Sequence, residues 1–161
     1  MASAARLWAP WRHQFLAQPV KRGCIFCTAI RSRDDRRHHV IARQRHVIAL
    51  LNRYPYNNGH LMIAPRRHIG ELLSVTPAEW GGMLSLGQRL IARLQRELHP
   101  HGFNVGLNLG RVAGAGIPGH LHLHVVPRWQ GDTNFMPILA ETKVISQSLE
   151  ALYELFTRRR G

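Results

Sequence analysis

Acidic residues are scarce in this chain, with 9 Asp and Glu against 22 Lys and Arg, for a formal charge of +13. Such a balance favours a polyanionic partner: nucleic acid, nucleotide phosphate or an anionic membrane surface. Much of the excess is local, in Arg31 to Arg45 and in Arg158-Arg159-Arg160, so a merely solvated basic surface fits as well. No segment approaches the ~18 consecutive apolar residues that a membrane helix needs, and no membrane role is expected. Met1 to Trp8 lacks the apolar core of about 7–15 residues found in secretory signals. Cysteine is confined to Cys24 and Cys27. Thiols three positions apart make a poor structural disulfide and a good metal or redox pair. Together these absences lead us to expect a cytoplasmic protein. No internal repeat and no linker divides the chain.

What is present suits one globular domain: 161 residues, 45% apolar and 19% charged. Residues 1–23 read as an arm, whose Trp8 and Trp11 flank Pro10 and would pack on the domain or on a partner subunit. The domain then spans 24–161. A short helix is expected from Cys24 to Ile30. His46 to Leu51 and His60 to Ala64 are apolar runs of strand length, separated by the turn-rich stretch Asn52 to Gly59. Thr76-Pro-Ala-Glu79 forms a capping box with proline at the first helical position. Trp80, Met83, Leu84, Leu90, Ile91, Leu94 and Leu98 follow at helical spacing, predicting a helix of about 20 residues that ends before Pro100. Phe103 to Gly110 alternates as a strand does, and Ser146 to Phe156 reads as a terminal helix. The class is α+β: an antiparallel sheet with the long helix and the C-terminal helix on one side.

The chain centres on His120-Leu-His-Leu-His-Val-Val-Pro-Arg128. Alternation of histidine with apolar residues predicts a strand with His120, His122 and His124 on one face and Leu121, Leu123 and Val125 on the core side. Imidazoles along a whole face bury little there, so that face should border a site. Pro127 should end the strand. Gly110 to Gly119, with four glycines and one proline, forms a loop that leads into it. Such a loop offers close backbone approach and aimed N–H groups, which phosphate chemistry uses.

These residues resemble the histidine triad (HIT) superfamily, whose signature is His-φ-His-φ-His-φ-φ with φ apolar. Leu7-Trp-Ala-Pro-Trp-Arg12, Gly23-Cys-Ile-Phe-Cys27, Gly59-His-Leu-Met-Ile-Ala-Pro65, Ala113-Gly-Ala-Gly116 and Val126 to Phe135 resemble one branch of it. That branch holds the bacterial and archaeal diadenosine tetraphosphate phosphorylase-like proteins. The resemblance implies a HIT-like fold, a homodimer and attack on nucleotide α-phosphates. It makes His122 the nucleophile, its other ring nitrogen held by a backbone carbonyl. It sets His124 against phosphate oxygens, where it stabilises charge or protonates the leaving group. His60 lies beside the triad and supports it; the other reading is a buried histidine with satisfied hydrogen bonds.

By the same resemblance Asn52 holds the ribose, the other reading being a plain turn asparagine; Asn108 contacts the phosphate side, and Gly114 and Gly116 offer their backbone to phosphate. Trp129 and Phe135 are read either as walling the far end of a dinucleotide or as buried packing. Relatives often carry Ser or Gln shortly before the triad, whereas Ala113-Gly-Ala-Gly-Ile-Pro118 has no such side chain. Backbone amides or another group must then orient the leaving phosphate. Cys24 and Cys27 need two more ligands for tetrahedral zinc, and the resemblance supplies His68 and His120. The alternatives are a reduced pair without metal and a redox pair. The expected activity is nucleotidyl transfer from a dinucleoside polyphosphate, resolved by phosphate or by water. Against it stand hydrolysis of nucleoside phosphoramidates and a non-catalytic, zinc-containing module binding nucleotides or RNA.

Overall fold

A computed structural model describes residues 23–132 and 145–158. The expected arm apart from Gly23, with Trp8 and Trp11, lies outside the described residues, as does Phe135. The described elements are α1 (Ile25–Arg31), β1 (Val40–Arg43), β2 (Val47–Leu51), β3 (Leu61–Pro65), a 3-10 turn at Leu72–Ser74, α2 (Pro77–Leu98), β4 (Gly102–Leu107), β5 (Leu123–Arg128) and α3 (Leu149–Thr157). The strands form one antiparallel sheet in the order β1-β2-β3-β5-β4. Among the described residues no helix is long and apolar enough to cross a membrane.

Every residue of β2 and β3 is buried, because helices cover both faces of the sheet. Alternate residues divide between two cores. Val47, Ala49, Leu51, Leu61, Ile63, Leu121, Leu123 and Val125 pack with Met83, Leu90 and Leu94 of α2 and Leu152 and Phe156 of α3. Ile48, Leu50, Met62 and Ala64 pack with Phe26 and Ala29 of α1. The long helix and the C-terminal helix therefore share a face, as expected, and the short α1 covers the other. A strand sandwiched this way loses its period-2 signature and reads as a continuous apolar run.

Helix α2 spans 22 residues and opens on the expected capping box. Glu79 accepts from the Thr76 backbone N–H at 2.9 Å, and both arms of the Arg67 guanidinium donate to it at 2.7 and 2.8 Å. The Arg67 guanidinium is the main cause holding the Glu79 carboxyl down at about 2. Glu79 is 3% exposed, so this contact ties the segment after β3 to the start of α2. Glu79→Gln should cost about 1–3 kcal/mol near neutral pH. A depressed carboxyl stabilises above its unfolded value and loses that contribution as pH falls through its folded value. Denaturant unfolding should therefore show the mutant deficit shrinking between about pH 4.5 and about pH 2.

Four sequence readings differ from the structure. β1 was not anticipated: its four residues carry only one buried side chain, and a bulge between Val40 and Ala42 breaks the register. The histidine strand enters the ladder only at Leu123, so His120, in a bend whose N–H donates to the Ile117 carbonyl, and His122 both precede β5. Pro127 does not stop the strand, since it pairs with Phe103 inside β5. Its carbonyl accepts from Asn57 Nδ2 at 3.1 Å, so its nitrogen also faces away from β4 and no ladder bond is lost. Similarly β4 ends at Leu107, before the turn at Gly110.

Candidate active site and metal centre

Cys24 sits at the N-cap of α1 and Cys27 lies in its first turn. His68 follows β3 and His120 precedes β5; the two segments are tied by Leu121 N–H donating to the Ile69 carbonyl at 2.6 Å. Gly70 permits this approach, since a Cβ there would lie 2.7 Å from the Pro118 carbonyl oxygen. The four side chains converge with all ligand atoms within 4.8 Å of one another. Cys24 Sγ to His120 Nδ1 is 3.1 Å, Cys27 Sγ to His68 Nδ1 is 3.2 Å and to His120 Nδ1 is 3.7 Å. The two Nδ1 atoms stand 3.2 Å apart. Tetrahedral zinc, with bonds of about 2.3 Å to sulfur and 2.0 Å to nitrogen, implies S···N edges near ~3.5 Å and N···N edges near ~3.3 Å.

The outer contacts fit as well. His120 Nε2 donates to the Pro65 carbonyl at 2.8 Å, which leaves the Nδ1 lone pair facing the cluster. Burial lowers the His120 pKa, favouring the neutral ring a metal requires. Burial also pushes the Cys24 thiol up, the opposite of what an activated redox thiolate needs. The residues present suit a metal ion.

The histidine face carries its imidazoles in the expected alternation, but it is not open. His120, His122 and His124 are 0%, 6% and 8% exposed. Phe26 of α1 roofs the first two, with ring centroids 4.9 Å from His120 and 5.1 Å from His122. Tyr56 covers His60 and His124 at 4.7 and 5.7 Å. His122 Nδ1 donates to the His120 carbonyl at 2.8 Å, which puts the lone pair on Nε2. Burial lowers the His122 pKa, so the ring stays neutral. His124 lies at 4.7 Å from His122, ring to ring, and its Nδ1 meets His60 Nε2 at 2.9 Å. Phe26→Ala should cost about 3–5 kcal/mol by cavity formation and lower activity by uncovering His122. Thermal unfolding beside a turnover assay would show both losses together.

The remaining candidates are less tightly assembled. Asn52 leaves β2 and points its amide at His60 Nδ1, 3.2 Å away, while its Oδ1 accepts from Tyr54 N–H at 2.9 Å. One amide hydrogen and one lone pair are left for a ribose. Asn108 Nδ2 reaches the Gly114 carbonyl at 3.5 Å, and Gly114 turns at φ +88°. Gly116 is exposed in the same loop. Trp129 follows β5 in a turn organised by Asp132. That carboxylate takes both arms of Arg128 at 2.6 and 2.7 Å, the Trp129 N–H at 3.0 Å and Asn57 Nδ2 at 2.8 Å. Tyr56, Asn57, Asp132 and Phe26 escape the sequence reading. The density of turn formers hinted at Tyr56 and Asn57, and Phe26 and Asp132 lie inside stretches that carry the family resemblance, without a role being read for them.

The HIT domain profile matches residues 33–131, a span that includes His60, His68 and all three histidines of the motif. The chain belongs to the HIT family. A Mycobacterium tuberculosis relative named AP-4-A phosphorylase is 45% identical over 152 residues, covering 89% of this chain and 78% of its own length. A HIT-like protein of Methanocaldococcus jannaschii is 31% identical over 109 residues, 68% of this chain and 81% of that one. Among solved structures, a Zn-bound HIT family protein from Mycobacterium smegmatis aligns with TM-score 0.65 and 27% identity, over 83% of this chain and 90% of that one. A hypothetical histidine triad nucleotide-binding protein from Sulfolobus tokodaii, at 23% identity and TM-score 0.65, shares the fold over 83% of this chain and 89% of its own.

Proposed function

We propose that this HIT protein is a nucleotidyl-transferring enzyme acting on dinucleoside polyphosphates of the diadenosine tetraphosphate kind. The observation that carries it is the His122 imidazole, held neutral with Nδ1 on the His120 carbonyl and its lone pair on Nε2. Such a ring attacks phosphorus and leaves it again, dividing one barrier into two. His122 Nε2 forms a bond to the α-phosphorus as the bond to the bridging oxygen breaks, and the rest departs as the nucleoside triphosphate. Phosphate or water then attacks the same phosphorus and releases His122. The 45% identical relative supports the phosphorylase branch. Asn52 on the ribose, Asn108, Gly114 and Gly116 on the phosphates and Trp129 at the far wall complete the site, with His124 and His60 beside the nucleophile.

Zinc on Cys24, Cys27, His68 and His120 belongs to the same reading, supported by the donor set and by the Zn-bound neighbour. Four protein ligands close the coordination, so the ion would act as a structural tie between α1, the segment after β3 and the segment before β5. A homodimer, a cytoplasmic location and an arm of residues 1–23 ahead of a domain of 24–161 complete the proposal. The test is product analysis with diadenosine tetraphosphate, with and without inorganic phosphate. ADP plus ATP formed only with phosphate identifies phosphorolysis, and AMP plus ATP without it identifies hydrolysis. No turnover of this substrate would overturn the reading in favour of phosphoramidates or of a binding module. Steep loss of nucleic-acid affinity with salt would mark the module.

A further inference from the structure

The end of the sheet where β1 turns into β2 and where β3 leaves gathers arginines from three separate segments. The turn is closed by Gln44 N–H donating to the Val47 carbonyl at 2.9 Å, which puts Arg45 at its exposed tip. Arg66, the first residue after β3, donates its N–H to the His46 carbonyl at 2.9 Å and is exposed beside that tip. Arg31 ends α1 and Arg33 follows it. Both are held at the same end by Arg43 of β1, whose guanidinium donates to the Ala29 and Ser32 carbonyls at 2.7 and 3.0 Å. Arg31, Arg33, Arg45 and Arg66 are all exposed, and none of them pairs with a described carboxylate. The acids nearby are already occupied. Asp35 accepts from Arg43 Nε and Nη2 at 2.8 and 2.6 Å, Glu79 holds Arg67, and Asp34 Oδ1 accepts from the Arg37 N–H at 3.0 Å. The backbone beneath the four guanidiniums is thus fixed in advance, so binding through them orders only side chains.

We infer that this row is a surface for the phosphodiester backbone of double-helical nucleic acid, separate from the histidine site. A guanidinium presents its N–H groups in a planar fork that matches phosphate oxygens. Its charge displaces counterions condensed on a duplex, which supplies affinity without reading sequence. A single strand would call for aromatic platforms on which its bases stack. Among the described residues Tyr54 is the one exposed Phe, Tyr or Trp, and it lies past the opposite end of β2. An anionic membrane is the other extended polyanion. Close to the row, Leu72 and Leu73 are exposed on the 3-10 turn whose Ser74 carbonyl accepts from Arg67 at 3.0 Å. Two leucines bury far less than the apolar face of an interfacial helix, so they make a poor membrane anchor. A duplex fits the row better.

Fluorescence anisotropy of the full-length protein with a short mixed-sequence DNA duplex, across a salt series, tests the surface. Two double variants of equal net charge are compared. One is Arg45→Gln with Arg66→Gln; the other is Arg89→Gln with Arg96→Gln, exposed positions about 18 and about 28 Å along α2 from Pro77. The row pair should weaken binding about tenfold or more at low salt and flatten the slope of log affinity against log salt by about 2. The α2 pair should leave both near wild type. Turnover and KM on diadenosine tetraphosphate should be unchanged in both. Equal weakening by the two pairs would reduce the effect to net charge and overturn the inference, as would no binding of the duplex at all. Tighter binding of the matching single strand, or of phosphatidylserine vesicles, would overturn it too. A raised KM in the row pair would assign these arginines to the substrate instead.

Discussion

His122→Ala is expected to lower turnover of diadenosine tetraphosphate by about 10⁴–10⁶-fold, the scale on which covalent nucleophiles fail when removed. The barrier rises by about 5–8 kcal/mol, because none of the neighbours can take over the attack. His120 directs Nδ1 at Cys24 Sγ in the cysteine–histidine cluster and gives its other nitrogen to the Pro65 carbonyl. His60 has both ring nitrogens engaged by neighbours. His124 turns Nδ1 toward His60 and lies a full ring away from the place His122 occupies. The fold should survive the change, since the two apolar cores include neither the His122 ring nor its carbonyl partner. Circular dichroism and thermal unfolding should accordingly show a folded protein, with a modest fall in Tm from the gap left under Phe26. Activity within tenfold of wild type would remove His122 from the chemistry.

Stripping the metal is expected to have the second largest effect, this time on stability. The purified protein should carry zinc in a one-to-one ratio, and Cys27→Ala should lose it. The cluster joins three chain segments far apart in sequence, and without an ion it leaves α1 with few other attachments. Phe26 and Ala29 are its only fully buried side chains, and Arg43 holds its C-terminal carbonyls from β1. A metal that binds only the folded state stabilises by its binding free energy. A loss of about 4 kcal/mol would lower Tm by about 10 °C in a domain of this size. Because Phe26 roofs His122, activity should fall along with it as α1 loosens. Elemental analysis and differential scanning calorimetry with and without chelator would check this. A protein free of metal, with a Tm that ignores chelator, would mean that the cysteines are a reduced buried pair.

Sequence patterns were most informative where one local rule acts alone. Thr76 to Glu79 is a capping box in isolation, and α2 begins there in the structure. The spacing of Cys24 and Cys27 pointed to a metal or redox pair, and the family resemblance named the distant partners that the fold does bring alongside. Patterns were least informative where tertiary neighbours decide. β1 is a four-residue edge with a bulge, too short and too exposed to carry a period. Pro127 reads as a strand stop until Asn57 is seen taking its carbonyl on the side away from β4. Histidines on alternate positions suggested a face that buries little, yet Phe26 of α1 covers His120 and His122 and Tyr56 covers His124, which local spacing cannot show. Tyr56 matters through its backbone N–H as much as its ring, and no side-chain pattern records a backbone donor.

The most direct test of the account is to look for the covalent intermediate itself. The protein would be mixed with diadenosine tetraphosphate in phosphate-free buffer, quenched within milliseconds at alkaline pH, where a phosphorus–nitrogen bond to histidine survives, and its peptides analysed by mass spectrometry. The expected result is a transient adduct of one adenylyl group on His122, absent from His122→Ala and discharged to ADP when phosphate is supplied. An adduct on another residue, or rapid turnover with no adduct at any time, would contradict attack by His122.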